Sequence, residues 1–160
     1  AEADLAIISP ELYGGLVETS PAYRTKMVCV SGGDSGLPEV VDISSLVPEN
    51  EIQVPWFPDY DTWRRNTVAL PYSSNILVGN MRVMESRIDS DHWCMMPAAI
   101  AHRLDRKDVT ISQIADPPPD LQVFYLKRRG EMTDSMRLFL QCLHRELSGL
   151  NGTESYLQNL

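Results

Sequence analysis

The stretch Leu121–Leu147, LQVFYLKRRGEMTDSMRLFLQCLHREL, decides the fold of this chain. Its opening residues predict a β-strand with apolar side chains on both faces. Leu121, Val123 and Tyr125 face one way, and Phe124 and Leu126 face the other. Since a strand at the edge of a sheet, or one with a solvated face, would show polar residues on one side, this strand is predicted to lie inside a sheet.

An amphipathic helix is predicted directly after the strand and its charged turn. Thr133 or Asp134 can cap its start and Gly149 can end it. Leucine, phenylalanine and methionine side chains recur at helical spacing and form one wide apolar stripe: Met136, Phe139, Leu140, Leu143 and Leu147. A strand and helix of this kind need further elements to pack against, so the rest of the chain must supply a sheet.

The preceding sequence alternates apolar runs with helical segments. Six runs are predicted as strands: 3–9, 23–32, 51–57, 75–80, 92–97 and 109–114. Helices are predicted after the third, fourth and fifth runs, capped in the first two cases by Asp59 or Asp61 and by Asn80. Alternation of this kind from Glu51 to Leu104 is typical of a parallel sheet with helices on its faces.

Length, charge and cysteine content narrow the class of protein. The 160 residues suffice for one domain or two small lobes, and the net charge of −8 argues against a duplex-binding surface. Cys29, Cys94 and Cys142 lie in apolar runs, which predicts buried free thiols in a reducing cytosol. The sequence shows no membrane span and no signal peptide, and it lacks an initiating Met. We therefore expect a cytoplasmic chain cut from a longer protein.

One motif suggests an enzyme, and the pattern around it argues against that. GDSG at 33–36 resembles the nucleophile motif of chymotrypsin-like serine proteases, in which Ser35 would need a histidine base and an orienting aspartate. The three histidines are poorly placed for that role: His92 opens a strand, and His102 and His144 lie in helices. The α/β pattern is also wrong for an all-β protease, so the chain is not expected to be an enzyme.

A metal site is also weighed and set aside. Asp89, Asp91, His92 and Cys94 are close in sequence, but they lead into a strand, where neighbouring side chains point to opposite faces. A solvated turn followed by a core cysteine is the simpler interpretation. Neither a metal nor a cofactor is expected.

The order of these segments resembles the effector-binding domain of LysR-type transcriptional regulators. The family's C-terminus likewise has an apolar strand, a short basic turn and a helix with an F-L-x-x-L pattern, here Phe139–Leu143. The block MESRIDSDHWCMMP, at 84–97, stands where the family has the Gly-rich block a-G-x-G-i-a-l-l-P. The glycines are replaced here by Asp89, Ser90, Asp91 and His92.

The resemblance implies an α/β, two-lobed, type 2 periplasmic-binding-protein-like fold with mixed sheets flanked by helices. By this resemblance, the winged helix-turn-helix and the first two β-α units of the family are expected to be absent from the given sequence, so that the N-terminal part of lobe I is expected to be missing. A truncated effector domain is expected over 1–148, with lobe I at 1–32 and 118–148, lobe II at 37–115, and a loose tail at 149–160. The crossings between lobes are expected near GGDSGLP and at DPPPD.

The implied function is ligand sensing. A small metabolite, often a carboxylate or an aromatic compound, binds between the lobes. Ligand binding is expected to change the conformation of a dimer or tetramer. That conformational change is then transmitted to DNA-binding domains that are expected to lie outside this sequence. The alternatives are a solute-binding protein of similar fold and a fragment that oligomerises without binding a ligand.

Candidate ligand-binding residues follow from topology, because ligands of α/β sheets sit at the carboxyl ends of strands and the amino ends of helices. Asn80 stands at such a junction and can serve both as helix cap and as ligand contact. Arg64 and Arg65 are expected on a solvated helix face. The predicted site comprises Ser9, Trp56, Phe57, Tyr60 at its rim, Gly79, Asn80, Met81 and Pro97.

Overall fold

The chain folds into two compact units, each with its own sheet. The computed structural model describes residues 3–9, 14–68 and 76–158. Unit 1 comprises Ala1–Thr25 and Asp120–Leu160, and unit 2 comprises Lys26–Pro119. The chain therefore leaves unit 1 after Thr25, earlier than the crossing expected near GGDSGLP, and it returns within the DPPPD segment.

Ten strands and four α-helices form the described structure. In chain order they are β1 (Leu5–Ile8), β2 (Val17–Thr25), β3 (Met27–Gly32), β4 (Val40–Val41), β5 (Ile52–Gln53), α1 (Pro58–Thr67), β6 (Ile76–Leu77), α2 (Met81–Arg87), β7 (Trp93–Pro97), α3 (Ala98–Ala101), β8 (Val109–Ile114), β9 (Leu121–Arg128), α4 (Asp134–Leu147) and β10 (Thr153–Ser155). Three short 3₁₀ helices, at Gly33–Ser35, Ile43–Ser45 and Pro48–Asn50, connect the elements of unit 2.

Unit 1 is an antiparallel sheet with the strand order β1-β9-β2-β10. β9 is hydrogen-bonded to β1 on one side and to β2 on the other, which confirms the predicted interior strand. Helix α4 begins after Thr133, whose side chain accepts a hydrogen bond from the Met136 amide at 3.3 Å. Leu140 and Leu147 of its apolar stripe are buried, whereas Phe139 remains 49% exposed.

The C-terminal residues are part of the sheet, which corrects the expected loose tail at 149–160. β10 pairs antiparallel with β2 and covers its edge. Leu157 enters the core of unit 1 beside Ala22, Tyr125 and Leu140. Ser155 also meets the ring of His144 on α4, with 2.8 Å between Oγ and Nδ1. The segment joins the sheet although it contains few apolar residues, because the edge of β2 offers unpaired backbone amides and carbonyls to β10.

Unit 2 contains a mixed sheet with the strand order β4-β8-β3-β7 and a smaller pair, β5-β6. β5 is parallel to β6, and β4 is parallel to β8, but β3 is antiparallel to both β7 and β8. The parallel arrangement predicted for Glu51–Leu104 is found in the β5-β6 pair and in the parallel bridge between Glu51 and Trp93. β3 precedes the alternating region, and its antiparallel direction is set by its hydrogen bonding with β7 and β8.

Strand β3 lies at the centre of unit 2, with both faces covered. Val28 and Val30 belong to one apolar cluster together with Cys94 and Met96. On the other face, Met27 and Cys29 belong to a second cluster together with Trp93 and Met95. All six residues of β3 are buried, as expected of a strand that is apolar on both faces. This strand, predicted for lobe I, thus belongs to unit 2.

The start of α1 and the lengths of β5 and β6 also differ from the predictions. α1 begins at Pro58, with Phe57 as its N-cap residue and without a side-chain cap, so neither Asp59 nor Asp61 has the predicted capping role. Proline is favoured at the first helical position because it has no amide hydrogen to leave unpaired. The strands predicted at 51–57 and 75–80 are reduced to two residues each, and Asn75 lies outside the described residues.

Gly32 occupies a position where a side chain cannot fit, because its amide donates to the carbonyl of Asp89 at 2.7 Å. A Cβ at this position would lie 2.4 Å from the Asp89 carbonyl carbon. We expect Gly32→Ala to lower the free energy of unfolding by about 2–4 kcal/mol, a range typical of overpacking and lost backbone contacts. Urea denaturation measures this change.

Gly33→Ala is the matched control, since its added Cβ would meet the nearest atom at an ordinary 3.4 Å. Equal stability of the two variants would show that the close approach of Gly32 to the Asp89 loop is unimportant.

Candidate functional site

The carboxyl ends of three strands of unit 2 lie at the same edge. β5 and β6 are parallel in register, with Ile52 opposite Ile76. The residue before β5, Glu51, forms a parallel bridge with Trp93 at the start of β7. Because parallel strands end on the same side, the segments that follow β5, β6 and β7 gather at one edge. Six of the eight predicted site residues belong to the segments that follow β5 and β6, and Pro97 is the last residue of β7.

The aromatic residues after β5 form one side of this edge. Trp56 is half-buried, and its indole Nε1 donates to the Met95 carbonyl at 2.7 Å. Phe57 is also half-buried, and its ring centroid lies 5.8 Å from that of Tyr60. The hydrogen bond and the ring contact hold the two partly exposed side chains against the core, where they present an apolar surface.

Tyr60 is not at a rim, contrary to the prediction. Its side chain has an exposed fraction of 0% and packs in the cluster that contains Met95. Its ring also stacks with that of Trp63, with centroids 6.4 Å apart. Burial raises the pKa of its hydroxyl far above the ordinary value. Tyr60 therefore packs beside Phe57 within the core and has no exposed surface at a rim.

Gly79, Asn80 and Met81 form the exposed turn between β6 and α2. The predicted helix cap is confirmed: Asn80 Oδ1 accepts hydrogen bonds from the amides of Arg82 at 2.9 Å and of Val83 at 3.4 Å. Among the described residues, Oδ1 is the only side-chain atom of Asn80 that makes a hydrogen bond. Its Nδ2 group is therefore free to donate to a ligand.

Pro97 and Ser9, the two remaining predicted site residues, lie elsewhere than in the segments after β5 and β6. Pro97 ends β7 and is buried opposite Met27 of β3, so it contributes to the core beneath the edge. Ser9 follows β1 and is exposed, but it belongs to unit 1. The structure thus gathers Trp56, Phe57 and the Gly79–Met81 turn at the edge, above the buried Tyr60 and Pro97. The ligand-binding roles of all eight residues stay predictions.

A buried ion pair in unit 2 was missed at the sequence level. Arg64 was expected on a solvated face, but it is 8% exposed and pairs with Glu51, which is fully buried. Its Nε donates to Glu51 Oε1 at 2.7 Å, and Nη2 donates to the other carboxylate oxygen. The available signal was that Arg64 shares a helical stripe with Tyr60 and Val68, four residues away on either side.

The GDSG motif does not form a protease triad. The Ser35 hydroxyl is hydrogen-bonded to the Ser31 hydroxyl at 2.7 Å, and it accepts from the Leu37 amide at 3.4 Å. His92 is oriented by Asp89, with 2.8 Å between Nδ1 and Oδ1, and the same carboxylate oxygen accepts from the His92 amide. The hydrogen bond from the His92 ring lowers the pKa of the Asp89 carboxyl. Ser35 and His92 nevertheless line the same small cavity.

The thiols and carboxylates do not assemble a metal site in the described part of the chain. Cys29 and Cys94 are buried, as predicted, and burial raises the pKa of the Cys29 thiol to about 12. Cys142 is exposed, which corrects its predicted burial, because it lies off the apolar stripe of α4. No helix in the residues described is both long enough and apolar enough to span a membrane.

Comparison with known proteins defines the fold. No protein-family model and no curated protein matches the chain. The regulatory domain of MetR, a LysR family regulator from N. meningitidis, superposes with a TM-score of 0.60 at 20% identity, over 96% of this chain and 74% of that one. The chain has the fold of a LysR-family regulatory domain. This is the type 2 periplasmic-binding-protein-like fold that the sequence predicted.

Two further structures extend the comparison of LysR-type folds. The regulatory domain of CcmR from Synechocystis PCC6803, solved in complex with 2-PG, matches with a TM-score of 0.62 at 17% identity, over 93% of this chain and 76% of that one. Full-length CbnR, complexed with its target DNA, matches with a TM-score of 0.63 at 10% identity, over 89% of this chain and 50% of that one. The chain thus spans about three quarters of the regulatory domains and half of the full-length regulator.

Proposed function

We propose that this chain is the ligand-sensing domain of a LysR-type transcriptional regulator and that it is not an enzyme. A small metabolite binds at the edge of unit 2 and shifts the conformations through which attached DNA-binding domains engage DNA. The observation that carries the proposal is the LysR-type fold, which puts Trp56, Phe57 and the Gly79–Met81 turn at one strand-end edge. Self-association as a dimer or tetramer and a cytoplasmic location belong to the same proposal.

The chemistry of the edge suits a ligand with an anionic or polar group and an apolar body. The Nδ2 group of Asn80 can donate a hydrogen bond to a carboxylate, and the partly exposed rings of Trp56 and Phe57 offer an apolar surface. Two proteins of similar fold support a ligand and a DNA partner for this chain. CcmR was solved in complex with 2-PG, and CbnR was solved with its target DNA.

Asn80→Asp is the variant that tests this site most directly. Asp caps a helix as well as Asn does, so the stability of α2 should change by no more than about 0.5 kcal/mol. The variant removes the Nδ2 donor and adds a negative charge, so we expect affinity for a carboxylate ligand to fall at least about tenfold. The measurement is a thermal-shift screen of carboxylate and aromatic metabolites, followed by calorimetry of the best ligand on both proteins.

The matched control is Asn66→Asp, which makes the same change at an exposed position near the end of α1. Binding that survives in Asn66→Asp and is lost in Asn80→Asp would support the proposal. If no metabolite in the screen stabilises the chain, or if Asn80→Asp binds the best carboxylate as tightly as the native chain does, the proposed site is wrong.

A further inference from the structure

Unit 2 also contains a cavity. It lies away from the effector edge, the strand-end edge that holds Trp56, Phe57 and residues 79–81. It has a volume of about 120 Å³, and its polar wall includes Ser31, Ser35 and His92. Trp93 lies on the apolar wall and begins β7, whereas the effector edge lies beyond Pro97 at the other end of that strand. Four residues of extended chain span about 13 Å. The cavity therefore lies at the amino ends of the parallel strands and does not belong to the effector edge.

The polar wall is rich in hydrogen-bond acceptors with defined orientation. The Ser31 side chain is buried, and its hydroxyl is joined to that of Ser35, with 2.7 Å between the two oxygens. His92 Nδ1 faces the Asp89 carboxylate at 2.8 Å and must donate to it. In the neutral ring Nε2 then carries a lone pair and accepts. Asn50, a further polar residue, also lines the cavity.

The charge of the cavity selects against anions. Asp91, an exposed carboxylate, belongs to its wall, and Asp34 is adjacent in sequence to Ser35. Among the described residues that line the cavity there is no lysine or arginine, and the guanidinium of Arg106 is already engaged by the Asp108 carboxylate and by the carbonyls of Glu85 and Ile88. A carboxylate ligand would meet an uncompensated negative charge, whereas an ammonium group would gain a favourable interaction.

The apolar part of the lining limits the size of a ligand. It is formed by Leu37, Leu46, Val47 and Trp93. The Trp93 indole is fixed there, since its Nε1 donates to the Val47 carbonyl at 2.9 Å. Since a water molecule occupies about 30 Å³ of liquid, the cavity holds roughly four waters, or an organic molecule of about four to five heavy atoms.

We propose that this cavity binds a small primary amine. Its ammonium group donates hydrogen bonds to the Ser31–Ser35 hydroxyl pair and to His92 Nε2 and pairs with the Asp91 carboxylate, and its short alkyl chain packs against Trp93. The site is independent of the proposed effector site in both position and charge preference. The GDSG motif acquires a role here as part of a binding wall and not as a nucleophile.

Titration of the ¹⁵N-labelled 160-residue chain with ethanolamine tests the proposal. Ethylene glycol, which has a hydroxyl in place of the ammonium group, is the matched neutral ligand. We expect saturable chemical-shift changes at the amides of Ser35, Ser90 and His92 with ethanolamine, and binding of ethylene glycol at least about tenfold weaker.

Two substitutions define the contacts. Asp91→Asn and Ser35→Ala should each weaken ethanolamine binding at least about fivefold, with the fold checked by circular dichroism. Asp116→Asn, at an exposed position of the DPPPD segment, and Asn80→Asp, at the effector edge, should leave ethanolamine binding unchanged. Equal affinity for ethylene glycol, unchanged binding by a folded Asp91→Asn, or shifts confined to other residues would each overturn the proposal. None of these results depends on whether the effector site is correct.

Discussion

Arg64→Met is expected to lower the free energy of unfolding of unit 2 by about 3–5 kcal/mol, because it leaves the buried Glu51 carboxylate without its partner. Glu51 has no exposed surface, so water cannot replace the two hydrogen bonds that the guanidinium donates. Chemical denaturation followed by tryptophan fluorescence measures the change, since Trp56, Trp63 and Trp93 all pack in this unit.

Two further variants separate the ion pair from the packing of the side chain. Arg65→Met alters the exposed neighbour on the same helix and should change stability by no more than about 0.5 kcal/mol. The double variant Glu51→Leu with Arg64→Met removes both charges, and it should recover most of the lost stability. If the double variant is as unstable as Arg64→Met alone, the loss comes from packing and not from an unpaired charge.

Leu157→Ala is expected to lower the free energy of unfolding of unit 1 by about 2–4 kcal/mol, since it opens a cavity in a small core. Leu157 is 2% exposed and packs with Ala22, Tyr125 and Leu140. Thermal unfolding followed by circular dichroism measures the effect, and hydrogen exchange at β2 and β10 locates it.

Tyr156→Ala provides the control for the same segment, because this neighbouring side chain is 40% exposed. Tyr156→Ala should lower the free energy of unfolding by less than about 1 kcal/mol. A Leu157→Ala variant as stable as Tyr156→Ala would indicate that the C-terminal segment is a loose tail after all, as the sequence first suggested.

The elements that could be predicted from sequence are those with a strong local pattern. β8 was predicted at the residues where it is found, and the interior position of β9 and the caps of α2 and α4 are confirmed. In each case the signal lies within a few residues: apolar runs, helical spacing, or an Asn or Thr before the first turn. The strand-end edge could also be anticipated, because carboxyl ends of parallel strands meet by geometry.

Other features were not predicted, because their local signal was weak or absent. Tyr60 and Arg64 looked like a rim residue and a solvated cation, and both are buried because α1 turns that face towards the core. The β10 segment is short and polar, yet it pairs with β2 because that strand offers an open edge. The cavity beside Ser35 needs three segments that are separate in the chain, at 31–37, 46–50 and 90–93.

The sequence by itself determined the apolar runs and helical stripes, which of their faces are apolar, and the family resemblance that their order carries. Only the tertiary structure decided that β3 runs antiparallel to β7, that Glu51 pairs with Arg64, and that Ser35 and His92 share a cavity. The physical reason is the separation in sequence between the residues that interact. Helix and strand patterns arise between residues two to four positions apart, whereas pairing and burial depend on segments that meet only when the chain has folded.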